Sequence, residues 1–377
     1  MDLARLSVSI LSGSGDEREF LSLPLSLYRA DPLWVAPLTA GERDRWDPKK
    51  NPVLSTRWVR RFLARREGRV VGRVAAIVDP AFSARWLADS GFFGFLECEE
   101  DPETARALLG AAEASLRERG VSHVLGPVNL STQEEVGTLI EGFESPPMVL
   151  SPYNPRYLPA LIEGSGYTTH TDFHSYQWLP SMKLTPAAER IMRGGRGPSG
   201  LVVRPVDPKR WDEDCLVLHR LYNESFESVW GFVPMSWEEF RAQAGQFRPF
   251  LQPELVRIAE WDGVPAGFAL ALPDVNEALR PIRGRLWPFG WVRLLRAIPR
   301  VRGARFVLLG VLPRFGGRGI GVRLAAGVAD ACRRLGVTHG EASLVRSNNA
   351  DVSRVIGALQ ATPVKTYRLY QKRIGPQ

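Results

Sequence analysis

The sequence predicts a mixed α/β fold in which two tandem units each surround a central mixed β-sheet with helices. Three observations lead to this prediction. The chain has 377 residues, more than one hydrophobic core usually serves. Its halves share matching stretches, and each half alternates strand-like with helix-like segments. We place a first unit at 1–180, a linker at 181–200 and a second unit at 201–377.

The repeat indicates an internal duplication. FLARREGRVVGRVAAIVDP (62–80) matches RIAEWDGVPAGFALALPD (257–274), ERGVSH (118–123) matches RLGVTH (334–339), and NPRYLPALIEGSGY (154–167) matches NADVSRVIGALQA (349–361). The first and third pairs are offset by 195 residues and the second by 216. About 21 extra residues therefore stand at a different place in each half.

Each unit reads as a helix, a hairpin, a strand, a long helix, a strand, a second helix and a closing strand. The hairpins turn at Glu67-Gly68 and Asp262-Gly263, dipeptides typical of tight turns. In the second half we predict the long helix over 322–335, because apolar residues recur there at helical spacing before a glycine. Its apolar face consists of Leu324, Ala325, Val328, Ala331, Cys332 and Leu335.

The positive charge is concentrated in one stretch. The net charge is +8, and the arginine-rich segment (280–305) carries eight arginines and no acidic residue. It lies in an insertion at 275–305, and aromatic and aliphatic residues alternate with its arginines. This pattern predicts a peripheral contact with an anionic membrane or an acidic carrier protein. The alternative is a loop whose arginines pair with the rest of the protein.

Other classes of protein are disfavoured by the composition. No run approaches a membrane span and no signal-peptide core is present, which predicts a cytoplasmic protein, with contact at the inner membrane face left open. The three cysteines are widely spaced and are expected to be reduced thiols. We predict no metal site, since His170 and His174 alone make a weak pair. No nucleic-acid partner is predicted, because the basic charge lies in one loop without a known module.

The stretch LLGVLPRFGGRGIGVRLA (308–325) joins a predicted strand to the long helix. The first N–H groups of a helix lack partners, and the helix dipole adds positive charge there. Glycines let a ligand approach these amides, and arginines supply charge, so the loop suits a pyrophosphate. It lacks the Gly-Lys-Ser/Thr of a P-loop and the context of a Rossmann fingerprint. The glycines are Gly316, Gly317, Gly319 and Gly321, and the arginines are Arg314, Arg318 and Arg323.

This loop resembles the pantetheine-pyrophosphate loop of the GNAT acyltransferase superfamily. Matching positions are Val311, Pro313, Gly319, Ile320 and Gly321, whereas Gly316 stands where the family usually has Arg or Gln. Asn349 and KTYRLYQK (365–372) are similar to the family's second cofactor-contacting helix and final strand. The chain as a whole, including DPLWVAPL (31–38) and YNESFESVWGFVP (222–234), resembles a bacterial group of two-unit GNAT-like proteins, some similar to N-acyltransferases of ceramide assembly.

The resemblance implies an acyl-CoA or acyl carrier protein as donor and an amine as acceptor, including a long-chain lipid amine. It implies a backbone N–H near Val311 as oxyanion donor. The implied cofactor-binding residues are Val311, Arg314, Gly316, Gly317, Arg318, Gly319, Ile320, Gly321 and Asn349. The family's usual helix tyrosine is Ile356 here, so Tyr367 and Tyr370 are the candidate acids, with packing in a strand as the alternative.

The base and the acceptor wall have further candidates. Asp274 or Glu341 can act as base, directly or through water. The alternatives are that Asp274, like its repeat partner Asp79, only caps a strand end and that Glu341 forms a salt bridge. The candidate residues of the acceptor wall are Glu224, Trp230 and Asn276.

The first unit lacks an equivalent loop. The aligned stretch ECEEDPETA (97–105) has five acidic residues, which repel a pyrophosphate. Asp101 followed by Pro102 instead predicts an ordinary helix N-cap. We therefore expect a silent first copy and an N-acyltransferase in the second. The alternatives are a non-catalytic acyl-CoA-binding or interaction protein and a small-molecule N-acetyltransferase.

Overall fold

The computed structural model describes residues 6–179, 185–186, 189–190, 200–347, 350–358 and 360–375. Two compact units are present. Unit 1 comprises Met1–Phe173, Ile282–Trp287 and Thr366–Gln377, and unit 2 comprises His174–Pro281 and Pro288–Lys365. Most of the predicted linker at 181–200 lies outside the described residues.

Unit 1 contains the first eight strands and first six helices. The strands are β1 (Leu6–Ile10), β2 (Trp58–Arg66), β3 (Arg69–Val78), β4 (Ser90–Cys98), β5 (His123–Gly126), β6 (Val128–Asn129), β7 (Glu135–Val136) and β8 (Thr138–Glu141). The helices are α1 (Gly13–Leu27), α2 (Thr39–Arg45), α3 (Val53–Thr56), α4 (Pro80–Arg85), α5 (Pro102–Arg117) and α6 (Leu158–Glu163). The next strand, β9 (Thr168–Trp178), is divided between the units after Phe173.

Unit 2 contains the elements that follow. The strands are β10 (Leu201–Pro205), β11 (Val256–Trp261), β12 (Val264–Pro273), β13 (Gly303–Val311) and β14 (His339–Arg346). The helices are α7 (Trp211–Ser225), α8 (Trp237–Phe247), α9 (Asn276–Leu279), α10 (Gly290–Ala297), α11 (Ile320–Arg334) and α12 (Ala350–Ala358). The closing strand β15 (Thr362–Arg373) passes into unit 1 at Thr366.

The strands of the two units follow corresponding orders. In unit 1 the order is β1-β2-β3-β4-β5-β15, and in unit 2 it is β14-β13-β12-β11-β10. The β4–β5 pair and the β13–β14 pair are parallel, and the hairpin pairs are antiparallel. Each parallel pair is connected through a long helix, α5 in unit 1 and α11 in unit 2. The predicted mixed α/β class with helices flanking a mixed sheet is confirmed.

The hairpin turns lie where the sequence predicts them. Glu67 and Gly68 have φ of 51° and 76°, and Asp262 and Gly263 have φ of 50° and 78°. Two successive left-handed residues match the twist of a two-residue hairpin loop. The observed units differ from the predicted ranges, because residues 282–287 and the part of the closing strand from Thr366 onward belong to unit 1.

Helix α11 buries its predicted face against the sheet of unit 2. It begins at Ile320, two residues before the predicted start, because Gly319 serves as its N-cap. Leu324, Val328, Ala331 and Cys332 form a core with residues of β11, β12 and β13. This packing fixes the start of the helix beside the end of β13.

Two compositional expectations can be compared with the structure. Cys98, Cys215 and Cys332 are all free and buried, as expected for reduced thiols. In the part of the chain that is described, no helix is long and apolar enough to span a membrane.

Candidate active site

The central parallel pair of unit 2 opens toward its carboxyl ends. β13 and β14 are paired from their first residues to Phe306 opposite Ala342, and no later pair joins them among the described residues. Both strands nevertheless continue, to Val311 and Arg346. An opening between two strands exposes backbone N–H and C=O groups to which an extended ligand can bind.

The burial of the two equivalent strands differs. The side chains from Phe306 to Leu309 are only half-buried, although β13 lies inside its sheet. In unit 1 the first seven residues of β4 are all buried. There the chain after β5 packs against β4, and Phe95 N–H donates to Asn129 Oδ1 at 2.7 Å. The opening is therefore filled in unit 1 and accessible in unit 2.

The glycine loop between β13 and α11 has the backbone shape that anion binding requires. Gly317 and Gly319 have φ of 73° and 74°, in the left-handed region that favours glycine. Gly319 is the N-cap of α11, and no side chain caps the helix. The first amides of a helix with 15 residues are thus left for a ligand.

Two arginines of the loop are held by neighbours in unit 2. The Arg314 guanidinium lies 3.3 Å from Glu224 Oε2. Glu224, a predicted residue of the acceptor wall, therefore contacts the glycine loop. The Arg318 guanidinium lies over the Trp261 ring at 4.6 Å from its centroid. Cation–π contact and an ion pair orient these side chains without removing their charge.

The equivalent helix start in unit 1 is closed. Asp101 accepts hydrogen bonds from the N–H groups of Glu103 and Thr104 at 3.3 and 3.0 Å. Arg66 pairs with Asp101 at 2.8 Å. The predicted N-cap is confirmed, and its carboxylate occupies the position where an anion would bind.

Comparisons with known proteins agree with this geometry. Residues 216–355 match the model of the "Acetyltransferase (GNAT) family". A protein of Caulobacter vibrioides (strain NA1000 / CB15N) named "Bacterial ceramide synthase" is 36% identical over 380 residues, covering 98% of both chains. The chain belongs to the GNAT acetyltransferase family.

Further relatives extend the match to the tandem arrangement. Protein YghO of Escherichia coli (strain K12) is 34% identical over 95% of this chain and 93% of its own. A tandem GNAT protein from the clavulanic acid biosynthesis pathway superposes with a TM-score of 0.58 at 15% identity, covering 99% of this chain and 100% of its own. A GCN5-related N-acetyltransferase from Sphaerobacter thermophilus superposes with a TM-score of 0.54 at 14% identity, covering 98% and 96%. This chain is a GNAT-type N-acyltransferase with a tandem GNAT fold.

Both candidate bases are buried, and both lie near the start of β13. Asp274 is buried and follows β12, and its N–H donates to Gly303 O at the start of β13. At about 3.3 Å per strand residue, Val311 is on the order of 25 Å further along. Asn276 begins the neighbouring helix α9. Asp274 and Asn276 are therefore at the opposite end of β13 from the glycine loop.

Glu341 lies one residue before the last β13–β14 pair, at the base of the opening. Ser175 Oγ donates to Glu341 Oε2 at 2.5 Å, and Lys365 Nζ forms a salt bridge with Oε1. Both carboxylate oxygens are thus engaged by buried groups of unit 2. Sequence reasoning named a salt bridge for Glu341 but not its partners, because Ser175 and Lys365 are far from it in the chain.

The two tyrosines of β15 belong to unit 1. Tyr367 and Tyr370 are both fully buried, and Tyr370 is in the hydrophobic core of that unit. Tyr370 Oη donates to Glu163 Oε1 at 3.1 Å, and burial raises the Tyr370 pKa well above its usual value. Their assignment as acids stays a prediction.

The remaining candidate residues all come from the second half of the chain. Trp230 stacks with Arg346, whose guanidinium is 4.6 Å from the ring centroid, near the end of β14. Ile356 is buried in α12, and Asn349 lies outside the described residues. In the described ranges, no group of three or more His, Cys, Asp or Glu side chains is arranged to hold a metal ion.

Ser225 is a residue that the sequence analysis missed. It ends α7, and its buried Oγ has no hydrogen-bond partner among the described residues. A Cβ on Gly310 would lie 2.8 Å from Ser225 Cβ, so glycine is required there for the helix to approach β13. No sequence pattern around Ser225 marks it as a functional residue, since only the fold brings it to the open part of β13.

Proposed function

We propose that this enzyme transfers an acyl group from acyl-CoA to a long-chain amine at a membrane surface. The observation that carries the proposal is the 36% identity, over nearly the whole of both chains, to a relative named "Bacterial ceramide synthase". The open glycine loop supports a pyrophosphate-bearing donor. The exposed apolar side chains of the arginine-rich segment support an amphiphilic acceptor.

In this proposal the donor's pyrophosphate binds at the start of α11. The backbone N–H groups after Gly319 donate hydrogen bonds to its oxygens, and Arg314 and Arg318 add positive potential at the edge. The pantetheine arm then follows the half-buried part of β13, from the glycine loop toward Phe306. This direction brings the thioester to the base of the opening.

The reaction is a direct acyl transfer. The amine nitrogen attacks the thioester carbonyl, a tetrahedral oxyanion forms, and the C–S bond breaks as the amide forms. The nitrogen loses one proton and the departing thiolate gains one, so the products are an amide and a thiol. A backbone N–H on the open part of β13, between Phe306 and Val311 and beside the thioester, is our candidate oxyanion donor. Asp274 is our candidate base through a water relay, and Glu341 has a positioning role in its buried ion pair.

The arginine-rich segment supplies a surface suited to lipids. Phe289, Trp291 and Leu295, which all belong to unit 2, are 70%, 50% and 62% exposed. Each is followed or preceded within a few residues by arginine, and helix α10 carries Arg293 and Arg296 beside Trp291 and Leu295. Exposed aromatic and leucine side chains enter the headgroup region, while arginines bind anionic lipids.

Turnover with defined substrates tests the proposal. Purified enzyme is incubated with acetyl-, octanoyl- and palmitoyl-CoA and with either a sphingoid base in phosphatidylglycerol vesicles or a soluble aliphatic amine. The amide product is measured by mass spectrometry. We expect amide only with the long-chain amine and more with longer acyl chains. Equal rates for all acyl chains on the soluble amine would contradict the lipid assignment and support a small-molecule N-acetyltransferase.

The membrane contact has its own variant. Trp291→Ser with Leu295→Ser should reduce sedimentation with phosphatidylglycerol vesicles while leaving binding of short acyl-CoA unchanged. Leu216→Ser is the matched control, since Leu216 is 53% exposed on α7 outside the segment. Point substitutions are preferable to removal of 280–305, because Ile282 is buried and β13 begins at Gly303. Equal sedimentation of all three proteins would contradict the membrane contact.

A further inference from the structure

A second basic site lies in unit 2, in a groove between α11 and the edge strands β10 and β11. The groove encloses about 320 Å³. Its lining combines three arginines, one aspartate, one glycine and two aliphatic side chains: Arg257, Arg323, Arg334, Asp330, Gly327, Leu201 and Val203. Arg323, which the sequence analysis grouped with the pyrophosphate loop, lines this groove instead, and the proposed acyl transfer uses none of the lining residues.

Arg257 is the unusual member of this group. It is 8% exposed, and its Nε has no hydrogen-bond partner among the described residues. Burial is the main cause of its lowered pKa, and the like charge of Arg334 acts in the same direction. A buried N–H group without a partner is costly, and an anion in the groove that accepts from Nε would offset that cost.

The groove has room for such an anion beside Arg257. A Cβ added at Gly327 would stand 4.0 Å from Arg257 Nε and 3.7 Å from Val203 Cγ1. Absence of a side chain at this helical position therefore keeps the space above the guanidinium open. Asp330 pairs with Arg334 and with Arg333, so it offsets one of the three positive charges that line the groove.

The groove is separate from the glycine loop and from the opening between β13 and β14. On a helix with 100° per residue, Arg323, Gly327, Asp330 and Arg334 share one face. Gly321 lies on the opposite side, where an added Cβ would contact Val311, Leu309 and Val355 at 3.7 to 3.9 Å. A ligand that follows β13 is thus on the other side of α11 from the groove.

We propose that this groove binds the phosphate group of an organic phosphate ester, with Arg257 as its buried anchor. Arginine donors are suited to phosphate, with two parallel N–H bonds to its oxygens. Arg323 and Arg334 add charge at the rim, and Leu201 and Val203 contact the carbon chain of the ester. The phosphate comes from a soluble ester or from a lipid headgroup, and the probes below distinguish the two.

The experiment measures phosphate binding apart from catalysis. The full chain, saturated with coenzyme A to occupy the glycine loop, is titrated calorimetrically with glycerol 3-phosphate. A parallel series measures sedimentation with vesicles containing phosphatidic acid. The variants are Arg257→Gln, which removes the anchor, and Gly327→Leu, which fills the groove without changing charge. Arg241→Gln is the matched control, because Arg241 is exposed on α8 and its loss removes one positive charge outside the lining.

Arg257→Gln should weaken glycerol 3-phosphate binding by about tenfold or more, Gly327→Leu should abolish it, and Arg241→Gln should leave it close to wild type. Sedimentation with phosphatidic acid vesicles that falls in the same two variants, in the absence of glycerol 3-phosphate binding, supports the lipid source; the sedimentation that remains is due to the arginine-rich segment. Equal binding by all four proteins, or by none, overturns the proposal. It is also overturned if Arg257→Gln weakens coenzyme A itself, since the groove would then hold a phosphate of the donor.

Discussion

Glu341→Gln tests whether the carboxylate at the base of the opening has a structural role. The Lys365 side chain is 1% exposed and that of Glu341 is 9% exposed, so the ion pair is almost entirely removed from water. Gln keeps the shape and can still accept a hydrogen bond from Ser175. It removes the negative charge that Glu341 places beside the buried Lys365 ammonium.

The magnitude follows from the burial. Removing one partner of a buried ion pair costs about 3–5 kcal/mol. For a unit of this size, 1 kcal/mol corresponds to about 2–4 °C, so we expect the Tm to fall by about 6–20 °C. The double variant Glu341→Gln with Lys365→Met removes both charges and should regain most of this loss, because neutral groups of similar volume replace a buried pair at little cost.

The assay combines thermal unfolding followed by circular dichroism with turnover at a temperature where every variant is folded. Glu213→Gln is the control, since its ion pair with Arg210 is exposed and its loss should leave the Tm close to that of the wild type. Unchanged Tm with abolished turnover in Glu341→Gln would refute the structural reasoning and favour Glu341 as the base. Turnover restored in the double variant would exclude that role.

Two further predictions concern the glycine loop and unit 1. Gly319→Glu should abolish acyl-CoA binding in equilibrium dialysis, because it places a negative charge at the start of the helix. Gly319→Asn should retain part of the binding, because asparagine tolerates φ of 74° and adds no charge. Equal affinity in both variants would contradict the assignment of the loop. Burial raises the Glu134 pKa from its ordinary 4.5 to about 7. Because the native state then holds a proton that the unfolded chain has lost, the free energy of unfolding should decrease as pH rises from about 4.5 to above 7, by up to about 3 kcal/mol. Glu134→Gln should remove this decrease in urea titrations at several pH values, and an unchanged pH dependence would contradict the assignment.

The local parts of the site could be predicted from sequence. The glycine spacing after β13, the hairpin dipeptides and the apolar face of α11 are patterns within about 20 residues, and each depends on backbone or helix geometry that a short stretch determines. The Asp101 cap is of the same kind, since its partners are two and three residues away.

The partners of the candidate catalytic residues could not be predicted. Ser175 and Lys365 meet Glu341 only because β9, β14 and β15 bring distant stretches together. The repeat suggested that the closing strand stays with its own half. Instead, residues 366–377 are part of unit 1, and this takes Tyr367 and Tyr370 into unit 1. A duplicated sequence specifies two similar sets of strands but not which copy each last strand completes.

We propose that two independent features of unit 1 prevent donor binding there. Asp101 occupies the helix start, and an added Cβ on Gly94 would lie 2.2 Å from Val128 O, so the chain after β5 lies directly on β4. The carboxylate opposes the pyrophosphate, and the filled strand edge excludes the pantetheine arm. Because these obstacles are independent, replacing Asp101 with glycine would free the amides without opening the strands. In unit 2 both conditions are met together, by a glycine N-cap and by strands that separate after Phe306.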